Sequence, residues 1–225
     1  MNWSWMMPET VSTYGPAIDQ LYYVILIITG VVFFLTEGAL IAFLVMYRHK
    51  EGRKAAYIHG STKAEVIWTV TPFLIVMGIG LASVKSWNLV KNPASFPADA
   101  MQVVVTAKQF EWNVTYAGAD GRIGTADDLT SRNQLHVPVN QAVRVNLRAE
   151  DVIHSFFLPD FRLKQDAIPG EEIAVWFEAT RTGEFTLGCA ELCGLGHYRM
   201  KGTVFVHSDT DFQAWVASRA EEEEQ

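Results

Sequence analysis

Two long apolar stretches near the amino terminus constrain this chain more than any other feature. Residues 21–47 contain one charged residue, Glu37, and residues 66–84 contain none. A helix needs about 20 apolar residues to cross the hydrocarbon core of a bilayer. Two buried core helices are the alternative, but uncharged stretches of this length exceed ordinary soluble helices. We therefore predict a membrane protein with two transmembrane helices, at about 21–47 and 66–87.

Basic residues are unevenly placed around the two predicted spans. The connecting loop 48–65 carries five Lys or Arg residues, whereas residues 1–20 carry none. Because basic loops remain on the cytoplasmic side, we predict a cytoplasmic loop and two termini on the periplasmic or outer side. The predicted location is an inner or cytoplasmic membrane, in contact with lipid. The first span does not resemble a cleaved signal peptide, since no basic segment precedes it.

Short alternating segments replace the apolar runs after the second span. Val143, Val145 and Leu147 alternate with polar residues, and Gly, Pro, Asn and Asp clusters separate such segments. This pattern is typical of a β-sandwich or barrel. We predict strands at 101–107, 110–116, 134–137, 142–149, 153–158, 171–179, 183–188 and 202–207. A helix is predicted from Asp209, which serves as its cap.

The predicted domains follow from these elements. They are an exported N-terminal segment (1–20), a transmembrane helical hairpin (21–90) and an exported β domain with a C-terminal helix (91–225). The chain has 18 Lys or Arg and 25 Asp or Glu residues, a net charge of −7, which argues against a nucleic-acid partner. No Cys-x2-Cys-His motif occurs, so we expect no attached haem c in this chain.

The segment Cys189–Met200 carries the most informative residues. Its spacing is Cys-x3-Cys-x3-His-x2-Met, and His154 lies upstream. Thiolates, imidazoles and a thioether suit copper, and a histidine–cysteine set with a weak methionine ligand is typical of blue-copper electron-transfer sites. Here the Cys and His are doubled, so two bridging sulfurs could hold two coppers. A shared electron would then change each bond little, which favours fast electron transfer.

Three alternatives stay open on these residues alone. Cys189 and Cys193 are exported and could form a disulfide. Two Cys and two His could instead bind structural zinc, although the spacing does not match the paired Cys-x2–4-Cys zinc pattern. His154 and Met200 could each be ordinary core residues. Taken together, the short spacings favour copper.

Three motifs make the chain resemble subunit II of cytochrome c oxidase over nearly its whole length. They are VIHSFFLP (152–159), LKQDAIPG (163–170) and CAELCGLGHYRM (189–200). The resemblance implies an α+β membrane protein, in which a two-helix transmembrane hairpin precedes a cupredoxin-like Greek-key β-sandwich. It also implies a dinuclear copper A centre. The implied ligands are the side chains of His154, Cys189, Cys193, His197 and Met200, with the backbone carbonyl of Glu191.

The same resemblance implies a function. The chain would accept electrons from a reduced c-type cytochrome, soluble or membrane-held, and pass them to haem in subunit I. Oxygen would be reduced there to water, coupled to proton pumping, in an oxidoreductase that contains further subunits. The chain alone would not reduce oxygen. The Glu191 carboxylate would also bind Mg²⁺ at the junction with subunit I, since hard oxygen ligands suit that ion.

Two other function classes remain as alternatives to this implied function. One is a membrane-anchored copper electron carrier that is not part of an oxidase. The other is a structural or zinc-binding membrane module.

One aromatic motif departs from the family. Electrons enter the family through the first Trp of Gln-Trp-x-Trp, and this chain has Phe110 at that position. Phe110 and Trp112 are therefore both candidates for accepting electrons from the donor. Because they alternate along a strand, they could equally be core residues. Glu150, Asp151 and Asp166 lie near the ligand motifs and are candidates for an acidic face that attracts a basic donor.

Three further acidic features carry predictions. Glu65, in a Glu-Val-Ile-Trp-Thr context, matches the family glutamate at the mouth of the K proton pathway, and it also fits a capping box from Thr62. Glu37 lies inside the first span, where an ionisable group should face protein rather than lipid. The insert 118–129 resembles an extended hairpin. Its three aspartates could hold calcium, but their spacing favours a plain turn.

Overall fold

The computed structural model describes residues 7–223, which form two compact units. One unit is Ala17–Trp87, and the other joins the residues that precede Ala17 to those that follow Trp87. Part of the predicted N-terminal segment and the last two residues of the acidic tail lie outside the described residues.

Two long helices and the segment between them account for the first unit, and the outer ends of both helices belong to the second unit. The helices are α1 (Gly15–Met46) and α2 (Thr62–Lys91). Each exceeds the length that crosses a bilayer, and the most apolar part of each has none of its residues buried within the described chain. Glu37 is half-buried near the middle of α1. Both helices begin before the predicted spans, because polar residues can continue the hydrogen-bond ladder outside the hydrocarbon core.

The start of α2 differs by one residue from the prediction. The Ala64 backbone N–H donates to Ser61 Oγ at 3.4 Å, so Ser61 is the N-cap. The predicted capping box from Thr62 is therefore wrong, and Glu65 lies one position further into the first turn. Its negative charge still lies where the helix dipole favours it.

In the described part of the second unit, ten strands form two five-stranded sheets. The first sheet has the order β3-β2-β1-β5-β8 and the second has the order β4-β10-β9-β6-β7. The strands are β1 (Met101–Lys108), β2 (Glu111–Tyr116), β3 (Leu129–Arg132), β4 (Gln134–Pro138), β5 (Ala142–Ala149), β6 (His154–Leu158), β7 (Leu163–Ala167), β8 (Ile173–Glu178), β9 (Gly183–Cys189) and β10 (Lys201–His207). The predicted order of two apolar helices followed by a β domain is confirmed.

The core lies between the two sheets, and it follows the predicted alternation. Val143, Val145 and Leu147 of β5 are fully buried, while the polar residues between them are not. Trp112 of β2 packs edge-on against Phe156 of β6, with ring centroids 5.6 Å apart. Each such buried side chain contributes about 1.5–3 kcal/mol to the stability of the domain.

Two strands and one cap differ from the predictions. Strands β3 and β7 were not predicted, because their short polar sequences form strands only by pairing with β2 and β6. Helix α3 (Asp209–Glu223) is capped by Ser208 rather than Asp209, since the Asp211 N–H donates to Ser208 Oγ at 3.2 Å. Phe212 of α3 is buried against the sheet.

The insert 118–129 is a turn held by its own aspartates. Each carboxylate accepts a backbone hydrogen bond of 2.7–3.0 Å inside the turn: Asp120 from Arg122, Asp127 from Asp120, and Asp128 from Gly124. These bonds supply the partners that the carboxylates need and support the predicted plain turn.

The N-terminal segment packs along the β domain. Val11 donates its N–H to the Asp160 carbonyl at 2.8 Å and accepts from the Thr180 N–H at 2.8 Å. Val11, Ser12 and Tyr14 are at most 3% exposed. The segment therefore forms part of the folded domain, which its irregular sequence did not predict.

Val11→Asp should release this segment from the domain. The substitution places a carboxylate without a partner in a fully buried apolar site, which costs several kcal/mol. We expect limited proteolysis of the detergent-solubilised full chain to cut before α1 at least about tenfold faster. Glu9→Gln is the control, because Glu9 forms only an exposed ion pair with Arg181. Equal cleavage rates in both variants would contradict the packing.

Candidate metal centre

The ends of three neighbouring strands bring the predicted ligands together. His154 is the first residue of β6, Cys189 is the last residue of β9, and Met200 directly precedes β10. Strand β9 pairs with both β6 and β10, so these ends lie side by side. The loop 190–200 closes over them and carries the remaining candidates.

The two cysteines form the middle of the cluster. Their Sγ atoms are 3.9 Å apart, almost twice the length of a disulfide bond, so both are free thiols. Burial and the neighbouring Cys189 raise the pKa of the Cys193 thiol to about 11. Without a cation this thiol therefore stays protonated at neutral pH, whereas a bound cation favours the thiolate.

The other predicted ligands surround the thiols. Cys193 Sγ lies 3.7 Å from Met200 Sδ and 3.6 Å from His197 Nδ1. Cys189 Sγ lies 3.2 Å from the carbonyl oxygen of Glu191. One ligand atom each of His154, Cys189 and Cys193 lies within 4.8 Å of the other two. The structure thus brings all six predicted ligands into one cluster.

His154 provides a test of whether the cluster fits a metal. The residue is fully buried, and its Nε2 lies 2.9 Å from Asp151 Oδ1. Its Nδ1 is buried and has no hydrogen-bond partner among residues 7–223. An unsatisfied buried polar atom costs about 1–3 kcal/mol and is rare in native proteins. A cation bound to Nδ1 would remove this cost, and the sulfur and imidazole set is one that copper prefers.

Two glycines let the ligand loop approach the β1–β2 turn. Gly194 has φ of +133°, a conformation that residues with side chains avoid. A Cβ atom on Gly196 would lie only 2.5 Å from the Phe110 ring. Phe110 therefore packs directly on the loop, and Gln109 Nε2 donates to the Cys193 carbonyl at 2.5 Å.

The two aromatic candidates occupy different depths. Trp112 is fully buried, and its ring lies edge-on to His154 at a centroid distance of 6.3 Å. Phe110 is partly exposed and covers the glycines of the loop. Phe110 can therefore touch a docked partner directly, whereas Trp112 lies beneath the surface beside a predicted ligand.

The acidic candidates for the donor face all have partners. Glu150 pairs with Lys108 at 2.9 Å, and Asp166 accepts from Ser155 Oγ at 2.7 Å. Asp151 accepts from His154 and from the Gln109 N–H. The loop instead exposes apolar side chains that sequence reasoning did not single out: Leu192, Leu195 and Tyr198 are 77%, 95% and 82% exposed.

The two other carboxylate candidates are exposed. Glu191 extends from the ligand loop into solvent, and Glu65 lies in the first turn of α2. Ser61 already caps α2, so the Glu65 carboxylate is not needed for the cap.

Comparisons with known proteins cover both units. The family model for the cytochrome c oxidase subunit II periplasmic domain matches residues 101–206, and the model for its transmembrane domain matches residues 1–86. The chain is 34% identical to the alternative cytochrome c oxidase subunit 2 of Bradyrhizobium diazoefficiens, over 94% of this chain and 83% of the relative. It is 31% identical to cytochrome c oxidase subunit 2 of Thermostichus vulcanus, over 93% of this chain and 77% of the relative.

A solved structure supports the predicted fold. The periplasmic domain of subunit II of cytochrome oxidase from Bradyrhizobium japonicum is 32% identical, with a TM-score of 0.50. The match covers 56% of this chain and 97% of that domain. The prediction that two apolar helices are followed along the chain by a cupredoxin-like domain is confirmed.

Gly196→Ala should disturb the ligand loop through Phe110. The φ of Gly196 is −92°, which suits any residue, so the clash with the ring is the only obstacle. We expect the free energy of unfolding of the β domain to fall by about 1–3 kcal/mol. In the double variant with Phe110→Ala the clash is absent, so the fall in the free energy of unfolding should be smaller than the sum of the two single falls. Gly188→Ala is the control, since its nearest atom is 4.0 Å away. Additive effects of the two substitutions would contradict the contact.

Proposed function

The chain belongs to the cytochrome c oxidase subunit II family, and from this we propose that it is the electron-accepting subunit of a haem–copper oxidase. It takes electrons from a reduced c-type cytochrome and passes them to haem in subunit I, where oxygen is reduced to water and protons are pumped. The observation that carries the proposal is the cluster of two free thiols beside buried His154, whose Nδ1 has no hydrogen-bond partner in the part of the chain that the structure describes.

The proposed cofactor is the dinuclear copper A centre. The thiols of Cys189 and Cys193, the side chains of His154, His197 and Met200, and the Glu191 carbonyl would hold it. When bound, such a centre supplies a one-electron acceptor whose charge is spread over two metals and two sulfurs. The chain's part is to hold the ligands still. Three of them lie at or beside strand ends, and this limits rearrangement when the charge changes.

A second ion is proposed for the exposed carboxylate of Glu191. Its backbone carbonyl faces Cys189 Sγ, while its side chain is exposed to solvent. A carboxylate oxygen suits Mg²⁺, which usually takes few protein ligands. We assign this ion to the junction with subunit I, where the partner and water supply the remaining ligands.

The proposed topology puts the copper domain on the periplasmic side. The family model for the β domain is the periplasmic one, and two candidate spans precede it. The N-terminal segment packs on that same domain through Val11 and Tyr14, which supports both ends of the hairpin lying on one side. The loop 48–65 with its five basic residues would then be cytoplasmic.

We propose that electrons enter beside Phe110. Its ring lies on Gly194 and Gly196, and Leu195 between them is almost fully exposed. Trp112 lies deeper, edge-on to His154, and would act as a support of that ligand rather than as a contact for the donor.

We also assign Glu65 the role of collecting protons at the mouth of the K pathway. Its carboxylate is exposed in the first turn of α2 and is not needed as a cap. A membrane-anchored copper carrier outside an oxidase is the second candidate function. Co-purification of the native chain with a large haem-containing subunit separates the two.

Copper binding tests the proposal directly. Copper added to the reduced full chain should bind at about two ions per chain, with an electron paramagnetic resonance signal split into seven hyperfine lines. Seven lines mean one unpaired electron shared equally by two copper nuclei. Four lines, a single zinc ion or an oxidised cysteine pair would contradict the proposal. Cys193→Ser should abolish the seven-line signal.

Leu195→Asp should weaken donor docking and leave the copper signal unchanged. The side chain is 95% exposed, so its replacement removes apolar contact with the partner without disturbing the ligands. We expect the rate of cytochrome oxidation at low donor concentration to fall about tenfold. Thr210→Asp introduces the same charge on exposed α3, beyond the end of β10 that lies away from the ligands. Equal rates in the two variants would contradict docking at Leu195.

Glu65→Gln should slow proton uptake in the assembled oxidase. The amide cannot carry the proton, and the cap on Ser61 stays intact. Stopped-flow measurement of proton uptake should show a fall of about tenfold or more. Glu51→Gln, in the same basic loop, should behave as the parent. Normal uptake in Glu65→Gln would contradict the assignment.

A further inference from the structure

Asp151 connects a predicted ligand to the turn between β1 and β2. Its Oδ1 lies 2.9 Å from His154 Nε2 and accepts from the Val152 N–H at 2.7 Å. Its Oδ2 accepts from the Gln109 N–H at 2.8 Å. Both carboxylate oxygens therefore have partners: Oδ1 contacts His154 and Val152, and Oδ2 contacts Gln109 in the turn.

Gln109 reaches the other half of the ligand set. Its side-chain Nε2 donates to the Cys193 carbonyl at 2.5 Å and lies where a side chain on Gly194 would be. The residue thus contacts Asp151 through its backbone and the ligand loop through its side chain. Asp151 and Gln109 together bridge His154, on a strand, to Cys193, on a loop.

We propose that Asp151 and Gln109 are a pair of positioning residues, which fix the direction of His154 Nδ1 relative to the Cys193 thiol. The proposal rests on the proposed function only in taking copper as the bound ion. It differs from the view of Asp151 as a charge that attracts the donor.

The carboxylate sets the tautomer of His154. A carboxylate accepts hydrogen bonds and donates none, so the neutral imidazole carries its proton on Nε2 and keeps the lone pair on Nδ1. That lone pair is on the atom that has no hydrogen-bond partner within residues 7–223. Without Asp151, the proton could occupy either nitrogen, and the ring would lose the contact that holds its orientation.

The neighbouring residue provides a matched control. Glu150 carries the same charge and precedes Asp151, but its carboxylate pairs with exposed Lys108 and not with a ligand. Glu150→Gln therefore removes one negative charge near the cluster without touching His154. A role based on charge alone predicts similar effects for both positions, whereas a positioning role does not.

The first measurement needs no metal. Nitrogen-15 NMR of the copper-free, reduced full chain reports the histidine tautomer from the ring nitrogen shifts. We expect His154 to be protonated on Nε2 in the parent and in Glu150→Gln, and to be a mixture of tautomers in Asp151→Ala. An unchanged tautomer in Asp151→Ala would overturn the proposal.

The second measurement is copper retention against a chelator. Loss of a partner that orients a ligand costs about 10–100-fold in metal affinity, so Asp151→Ala should lose copper that much more readily. Glu150→Gln should match the parent. Asp151→Asn keeps an acceptor for His154 but presents an N–H group to Gln109, so it should fall in between and provides a milder variant if Asp151→Ala does not fold. Parent-like retention in both Asp151 variants would overturn the proposal.

A double-mutant cycle tests whether the two residues act as one unit. Gln109→Ala removes only the bond to the Cys193 carbonyl, and it should also weaken copper retention. If the pair shares a task, the combined loss in Asp151→Ala with Gln109→Ala is smaller than the product of the single losses. Purely multiplicative losses would overturn the pairing.

The failure modes can be told apart. If the parent chain binds no copper pair, the proposed function is wrong. The His154 tautomer, measured without metal, still tests the positioning role in that case. A parent chain that binds the copper pair but shows the other tautomer overturns this inference alone.

Discussion

The proposed metal centre depends on a buried imidazole nitrogen that has no hydrogen-bond partner in the described part of the chain. His154 Nδ1 lies beside two free thiols, one of them with a pKa raised to about 11 by burial and by its neighbour. Among residues 7–223, His154 Nδ1 is the atom of this cluster that lacks a partner, and a soft cation could bind it together with the neighbouring sulfurs. Strands β6, β9 and β10 hold these atoms at one end of the domain, and the sheets behind them are packed with apolar side chains.

Contacts with the β1–β2 turn connect the ligand loop to the rest of the β domain. The ligand loop cannot move freely, because Phe110 lies on its glycines and Gln109 binds the Cys193 carbonyl. We have proposed that electrons enter at this β1–β2 turn, and the turn directly contacts the loop that carries the candidate ligands. The N-terminal segment packs on the same domain, with Val11 fully buried.

Local patterns in the sequence predicted much of this arrangement. The uncharged stretches predicted both helices, and the alternation along β5 predicted a strand with one buried face. The spacing from Cys189 to Met200 predicted the ligand loop, since its members are close in sequence. Features that depend on distant partners were not predictable in this way. Strands β3 and β7 form through pairing with β2 and β6, and the contact between Asp151 and Gln109 joins residues 42 apart. The helix caps are local, but two neighbouring residues could serve at the start of α2 and of α3, and the structure uses Ser61 and Ser208, one residue before the predicted positions.

Anomalous X-ray diffraction at the copper absorption edge, on crystals of the copper-loaded full chain or of its complex, tests the copper assignment at atomic detail. We expect two copper peaks among the sulfurs of Cys189 and Cys193, with His154 Nδ1 directed at one of them. A cystine in place of the free thiols, a single peak, or His154 turned so that Nε2 faces the metal would contradict this assignment.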